Sequence, residues 1–490
     1  MHKLLLLLPL LIAACAPLGP DYIQPEVDLP QTWTQTVDQG PHPGTANIQK
    51  WWVLFNDPVL TNLIQQATAH NLDLQQAMAR VDEAKATLEM TIGQALPSLD
   101  AQGSVTRQGS PSSALSPQGS TETISSVALD AGWELDLFGR IRRSIQASDA
   151  AYQASQEDRR DVMISMYSQV AQTYITLRTL QARLQTTHKN IASQQETLNL
   201  TRSRFDHGLA TGLDVSQAER VLANTQAEIP PLRISLIQNM NTLCVLLGQH
   251  PGSLGRFRDK AGIIPQAAKT PETGIPADLL RQRPDVRRAE RLLAAQTARI
   301  GIAKAELFPR LTLIGDVSFS SGEIDDLFTS TARAFEVGPS LRWSLFQGGR
   351  LRAQIREQDA RARQALLTYE QRILDALQEV EDAMTGYVHQ KNQITALQHS
   401  VQASTASLRM AEKLYKDGLA DFQNVLDAQR SLFTAEDNLD QALGNAALYM
   451  VSLYKALGGG WDAHSTTEKG DQEVVTGGLE PEVITPGDTG

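Results

Sequence analysis

Cysteine is nearly missing from this chain: its 490 residues include two, Cys15 and Cys244. With Cys15 assigned to N-terminal processing, Cys244 has no partner within the chain, so stability must come from packing rather than from a disulfide framework. Cys244 lies among Leu243, Val245 and Leu246 and reads as a small core residue, not a reactive thiol. Aromatics are scarce at 5%, and beyond Ala14 no uninterrupted apolar run is long enough for a membrane-spanning helix. Positive charge is short as well. The formal net charge is −11, and no basic stripe is available to neutralise phosphates, which argues against a nucleic-acid partner. The signatures of chemistry are also absent: there is no serine nucleophile elbow, HExxH, paired CxxC or phosphate loop. Gly348-Gly349-Arg350 and Gly458-Gly459-Gly460 lack nucleotide-loop spacing and sit at helix ends. The nine histidines are dispersed, so no enzyme activity, cofactor or metal site is expected.

What is present begins at the N-terminus. Met1-His2-Lys3 is a short positive region, Leu4 to Leu11 an apolar run, and Ile12-Ala13-Ala14-Cys15 its end. The run suits a secretory signal and is too short to cross a bilayer. Small residues before a cysteine resemble the lipobox of bacterial lipoproteins, which makes Cys15 the expected lipid anchor. Ala16 follows it, with no aspartate to suggest inner-membrane retention.

A duplication organises the rest of the chain. Trp133 and Trp343, Gly139 and Gly349, and Arg140 and Arg350 are each 210 residues apart, as are Gly208-Leu209-Ala210 and Gly418-Leu419-Ala420. Upstream the offset becomes 212, pairing Leu96-Pro97 with Phe308-Pro309 and Asp73 with Asp285. After each proline come segments of period-two alternation. Leu311 to Phe319 is one, and Val127 to Leu137 another, with Leu129, Trp133 and Leu135 opposing Asp130, Glu134 and Asp136. Between paired strands lie loops, Gly109 to Glu122 and Ser320 to Ala334, both longer than a tight turn. Strands of about ten residues, apolar on one side only, suit a transmembrane barrel. Four strands cannot close one, and open edges are not tolerated in lipid, so other subunits must complete it.

From Arg140 to Gly208, and from Arg350 to Gly418 apart from Gly386, nothing interrupts a helix. Roughly 65 residues of helix extend about 100 Å. Leu177, Leu184, Ile191, Leu198 and Phe205 recur every seven residues, matched by Tyr387, Ile394, Val401, Leu408 and Tyr415. Such a repeat requires a packed partner helix. Leu213 to Leu247 and Phe422 to Leu457 supply it, completing a helical hairpin in each half. Pro230-Pro231 predicts a kink in the first returning helix, where the second half has Asp440-Gln441.

Several strings, in order, now carry a family resemblance: Gly19-Pro20-Asp21-Tyr22, Trp52 with Phe55-Asn56-Asp57-Pro58, Trp133 to Arg140, Arg283-Pro284-Asp285-Val286, Leu426 to Arg430 and Leu453 to Trp461. The chain resembles the TolC-type outer-membrane factors, in the lipoprotein branch that includes OprM and the NodT family. The resemblance implies a mixed α and β fold, with helical hairpins forming a periplasmic α-barrel. That barrel is continuous with a 12-stranded transmembrane β-barrel, built by a homotrimer that contributes four strands per chain. It also implies an outer-membrane location and an exit duct for drugs or other small molecules, fed by an inner-membrane RND-type transporter and a periplasmic adaptor. The duct of a type I protein secretion system is the rival within this class, and the lipobox favours efflux. A lipid-anchored coiled-coil tether explains the heptads but has no use for paired strands.

The expected organisation is a signal peptide over 1–14, a lipid-anchored segment over 15–50, a first repeat over 51–250 and a linker over 251–282. A second repeat then spans 283–461, and an acidic tail, read as disordered, spans 462–490. Adaptor contact is expected at the turns Gly208, Leu209, Ala210 and Gly418, Leu419, Ala420. The resemblance places a gate at the same tips. Asp427 takes the place of the family's ring aspartate, and Asn424 stands at a second aspartate position, for which Asp421 is a candidate substitute. The resemblance also maps a latching hydrogen bond onto Asp214 and Tyr415, and puts Ala420 where the family's other tie has arginine.

Overall fold

The computed structural model describes residues 17–27, 30, 33, 48–110, 120–255, 262–267 and 282–461. Cys15, the expected signal peptide and the tail from Asp462 lie outside the described residues. Helices α1 (Pro58–His70) and α2 (Leu72–Gly93) lead into β1 (Ser98–Ser110) and β2 (Ser120–Leu135). Then come α3 (Arg140–Asp206), α4 (Gly212–Ala227) and α5 (Ile229–Leu246). The second half repeats the order with α6 (Pro284–Ala305), β3 (Arg310–Ser321), β4 (Arg333–Arg342), α7 (Arg350–Lys416) and α8 (Phe422–Ala456). The strands reach further into the expected loops than alternation suggested, and a short 3-10 turn, Ile324–Asp326, occupies part of the second.

All four strands join one antiparallel sheet in the order β1-β2-β3-β4. The halves therefore meet inside the sheet, where β2 pairs with β3 from Ser125↔Ser321 to Leu135↔Leu311. Among the described residues the outer edges of β1 and β4 have no partner strand.

The long helices α3 and α7 each have 67 residues, which extend about 100 Å at 1.5 Å per residue. Neither contains proline, and Ala, Gln, Leu and Arg dominate them, all good helix formers. In the first half the Asp136 carboxylate accepts the Ile141 and Arg142 N–H groups at 3.1 and 2.9 Å, capping donors that the first turn leaves free. Phe346 stands at the duplicated position and is exposed. Gly386, the one glycine within α7, is a point of close approach: a Cβ there would collide with the Tyr449 ring of α8.

The duplication extends to individual hydrogen bonds. Asn71 Nδ2 donates to the Leu246 carbonyl at 2.9 Å, closing the first half, and Arg283 Nη1 donates to the Ala456 carbonyl at 2.8 Å, closing the second. Trp133 and Trp343 likewise donate from Nε1 to Ala95 and Leu307 carbonyls, at 2.9 and 3.0 Å. The halves differ at the prolines. Helix stops after Ala227 and restarts at Ile229, so the returning helix is broken into α4 and α5 at Pro230-Pro231, whereas α8 runs unbroken past Asp440-Gln441. Pro cannot donate the i→i−4 bond, and its ring crowds the preceding turn.

The main core lies where α1, α3, α5 and α8 meet. Trp51 stacks on Tyr454 at 5.6 Å, and Tyr174 donates to Asp57 at 2.8 Å, while the other Asp57 oxygen caps α1. Trp51 and Asp57 thus tie the segment before α1 to both long hairpins. The heptad positions Leu177, Leu198, Tyr387 and Tyr415 are buried; Phe205 is not, at 48% exposure.

Candidate functional site

The sheet has two unlike faces. One transverse row aligns Ala101, Leu129, Val317 and Phe335, and the row two residues along aligns Leu99, Ala131, Gly315 and Val337. The row between points to the opposite face and consists of Asp100, Asp130, Asp316 and Glu336. Like charges directly opposite one another destabilise a sheet, so this row requires water on its side. Sequence alternation had shown Asp130; the register was needed to align the other three with it. Trp133, Trp343 and the stacked pair Phe138–Phe308, 4.8 Å apart, mark the end of the strands nearest the helices, as interfacial aromatics do.

An N-terminal strap crosses at this level. Leu18 N–H donates to the Phe138 carbonyl at 3.2 Å, and Arg143 donates from Nε to Leu18 O and from Nη2 to Gly19 O, at 3.0 and 3.2 Å. Arg143 also pairs with Asp21 at 2.8 Å, and the Tyr22 hydroxyl donates to Glu290 of α6 at 3.0 Å. The Gly19 to Tyr22 string is therefore a clamp across both halves.

At the far end, about 100 Å away by helix length, the two turns are built alike. Gly208 and Gly418 take φ of 72° and 73°, and the next residues close the helix, Leu209 N–H to Arg204 O at 2.7 Å and Leu419 N–H to Leu414 O at 2.8 Å. A left-handed residue is required at this position, which glycine adopts without strain. Leu209 and Leu419 are left 66% and 74% exposed, while Ala210 and Ala420 are half-buried. Asp421 and Asp427 are both exposed; Asp421 makes no side-chain cap, and Asp427 accepts from Gln423 at 3.2 Å. Among the described residues no helix is apolar enough to cross a membrane and no His, Cys, Asp or Glu group is placed to hold a metal.

Comparison with known proteins gives the geometry its family. The model of the outer membrane efflux protein family matches twice, over residues 63–249 and 275–459. The chain belongs to the outer membrane efflux protein family. It is 33% identical to nodulation protein T of Rhizobium leguminosarum bv. trifolii over 92% of this chain and 96% of that protein. To the cation efflux system protein CusC of Escherichia coli O6:H1 it is 32% identical, over 92% and 97%. The solved outer-membrane channel OprN superposes with a TM-score of 0.83 at 35% identity, over 91% of this chain and all of that one. Like other outer membrane efflux proteins, the chain is the outer-membrane channel of a tripartite pump. It is a trimer that works with a periplasmic adaptor and an inner-membrane RND-type transporter.

Within this efflux channel one expected contact is not made. Asp214 and Tyr415 do not bond to each other. Asp214 is the third residue of α4, and its carboxylate turns back to accept the Thr211 N–H and hydroxyl, both at 2.8 Å, in a capping box. Tyr415 is buried against Phe422, 5.2 Å away, and its hydroxyl has no hydrogen-bond partner among the described residues. Arg204 ties the two hairpins together near their tips. Its guanidinium lies 4.7 Å over the Tyr415 ring and donates from Nη1 to the Lys416 carbonyl at 3.1 Å. Sequence reasoning missed Arg204, although its duplicate is Leu414, and such a break in the repeat could have flagged it.

A buried, unpaired hydroxyl costs about 1–3 kcal/mol, while Tyr415→Phe keeps the ring contacts. Thermal unfolding of that variant is expected at or above the parent's midpoint, with single-channel conductance unchanged. A lower midpoint or a more open channel would mean that the hydroxyl holds the tips after all.

Proposed function

We propose that this channel is a passive conduit, without a catalytic step of its own, that carries small molecules through a water-filled lumen and is engaged and gated at its hairpin tips. The observation that carries this reading is the two-faced sheet, apolar outside and lined by Asp100, Asp130, Asp316 and Glu336 inside, continued by helices. Three chains bring twelve such carboxylates to one lumen. The tips add Asp421 and Asp427 at the mouth, and carboxylates facing a pore attract cations and repel anions. Charge therefore filters weakly in favour of cationic or neutral cargo. Selection among compounds belongs to the transporter.

The adaptor contact is assigned to Leu209 and Leu419, supported by their exposure on turns that no other described residue covers. Leu209→Glu and Leu419→Glu are each expected to abolish drug resistance in cells while leaving heat-resistant trimers in the outer membrane. Full resistance in both would remove the contact from these turns.

For the gate and filter, Asp427→Ala, and separately Asp130→Asn with Asp316→Asn, should each lower the cation preference read from reversal potentials in a salt gradient. Wild-type potentials in both would count against a charged mouth and a charged lumen.

The anchor is assigned to Cys15. Its support is the strap: Leu18, three residues on, is fixed at Phe138, where the strands meet the helices, so acyl chains on Cys15 reach the periplasmic leaflet. Cells fed a labelled fatty acid should label the wild-type protein and not Cys15→Ser. An unlabelled wild type in the outer membrane would exclude the anchor.

A further inference from the structure

Helix α3 meets α8 through three successive layers. Nearest the sheet the contact is apolar, with Val170, Tyr174 and Leu177 in one cluster with Met450, Val451 and Tyr454. Near the tips Leu198 packs with Val425 and Leu426, beside a buried hydrogen bond that Gln429 Nε2 donates to the Thr197 hydroxyl at 2.7 Å. Between them the contact is made of charge. Arg183 donates from Nε and Nη2 to the two oxygens of Asp437 at 2.7 and 3.1 Å, and the Thr186 hydroxyl donates to Asp440 at 2.6 Å. Lys189 Nζ and Asn190 Nδ2 donate to the two oxygens of Glu436 at 2.7 and 3.0 Å. Glu228, at the break between α4 and α5, adds its field to that of Asp437.

The charges in this layer do not balance. Among the described residues, the carboxylates Glu228, Glu436, Asp437 and Asp440 face the cations Arg183 and Lys189. Asp440 is met by Thr186 and Arg183 from α3 and by Glu436 and Asp437 from its own helix. On its remaining side the segment 262–267 brings only uncharged groups, Gly262, Ile263, Ile264 and Gln266, which line a groove of about 420 Å³ beside it. Burial, reinforced by Asp437 and Glu436, pushes the Asp440 carboxyl up, against the Thr186 hydrogen bond and Arg183, which pull it down. Glu228 is raised too, by burial and then by Asp437.

A carboxyl whose pKa is raised in the joined layer binds its proton more readily there than when the helices part and water reaches it. As pH falls through the raised value, joining is favoured; as pH rises above it, repulsion among the ionised carboxylates favours parting. Cohesion therefore rises as the Asp440 carboxyl takes up its proton. A polar layer can also exchange its bonds for water when it opens, which an apolar layer cannot do.

We propose that the Arg183–Asp437, Thr186–Asp440 and Lys189–Glu436 layer is a proton-operated catch between the two hairpins, tight in mildly acidic periplasm and slack at neutral pH. The proposal rests on the conduit reading given above, since the catch acts on a channel. It predicts that purified trimers in a planar bilayer conduct severalfold less as the helical side is titrated downward from neutral pH.

Asp440→Asn carries no charge at either pH and should hold the low conductance throughout, with the pH response lost. Thr186→Val removes the bond that pulls the Asp440 carboxyl down, so the wild-type response should survive with its midpoint moved to higher pH. A pH-independent wild type, or an Asp440→Asn channel that responds as the wild type does, overturns the catch while leaving the conduit intact. Wild-type protein that forms no pores at all overturns both.

Discussion

A strand edge cannot be left bare in lipid. Each unpaired N–H and C=O in a hydrocarbon layer costs several kcal/mol, roughly the worth of a good core residue. This chain makes one four-stranded sheet whose first and last strands, β1 and β4, have no outer partner among the described residues. The sheet's outer face is apolar, so water is not its solvent. The edges must meet those of other copies, and the family's trimer closes them.

Closure accounts for features that a single chain would not tolerate. Aligned carboxylates on β1 to β4 are unfavourable neighbours, and they persist because the enclosed face is wet. The helices inherit their arrangement from the strands. Each half hangs one hairpin from two strands, and the pairing of β2 with β3 sets the hairpins side by side. Their seam then needs cohesion without permanence. Apolar clusters at both ends of the α3–α8 contact supply the cohesion, and the charged layer between them supplies a part that water and protons can undo.

The duplication is a scaffold on which the halves have diverged. Asn71 and Arg283 do the same work on equivalent carbonyls, as do Trp133 and Trp343. Asp136 and Arg204 have no working duplicate, and Pro230-Pro231 breaks only one returning helix. These differences fall where the first half does something extra: starting α3 beside the strap, tying the tips together, and placing Glu228 beside the charged layer.

Much of this was legible in the sequence because it depends on period and punctuation. Alternation marked β2 and β3, uninterrupted helix formers marked α3 and α7, and the paired glycines marked the tips. What escaped depends on which side chain reaches which partner. The Asp214 carboxylate lies near enough to its own helix start to cap it, and that local bond prevailed over the expected bond to Tyr415. The row of Asp100, Asp130, Asp316 and Glu336 needed the strand register, and the charged layer needed two helices separated by more than 240 residues to be set in register.

Joining of β4 to the β1 of another chain is the claim on which all of this depends, and it can be measured directly. Within one chain the two edges are three strand spacings apart, about 14 Å, too far for a disulfide. Cysteines scanned along β4 against Ala101→Cys on β1, oxidised in outer membranes and run on denaturing gels, should give a covalent ladder that ends at three chains. A ladder that never forms at any β4 position, or one that continues past three, would contradict the closed trimeric barrel.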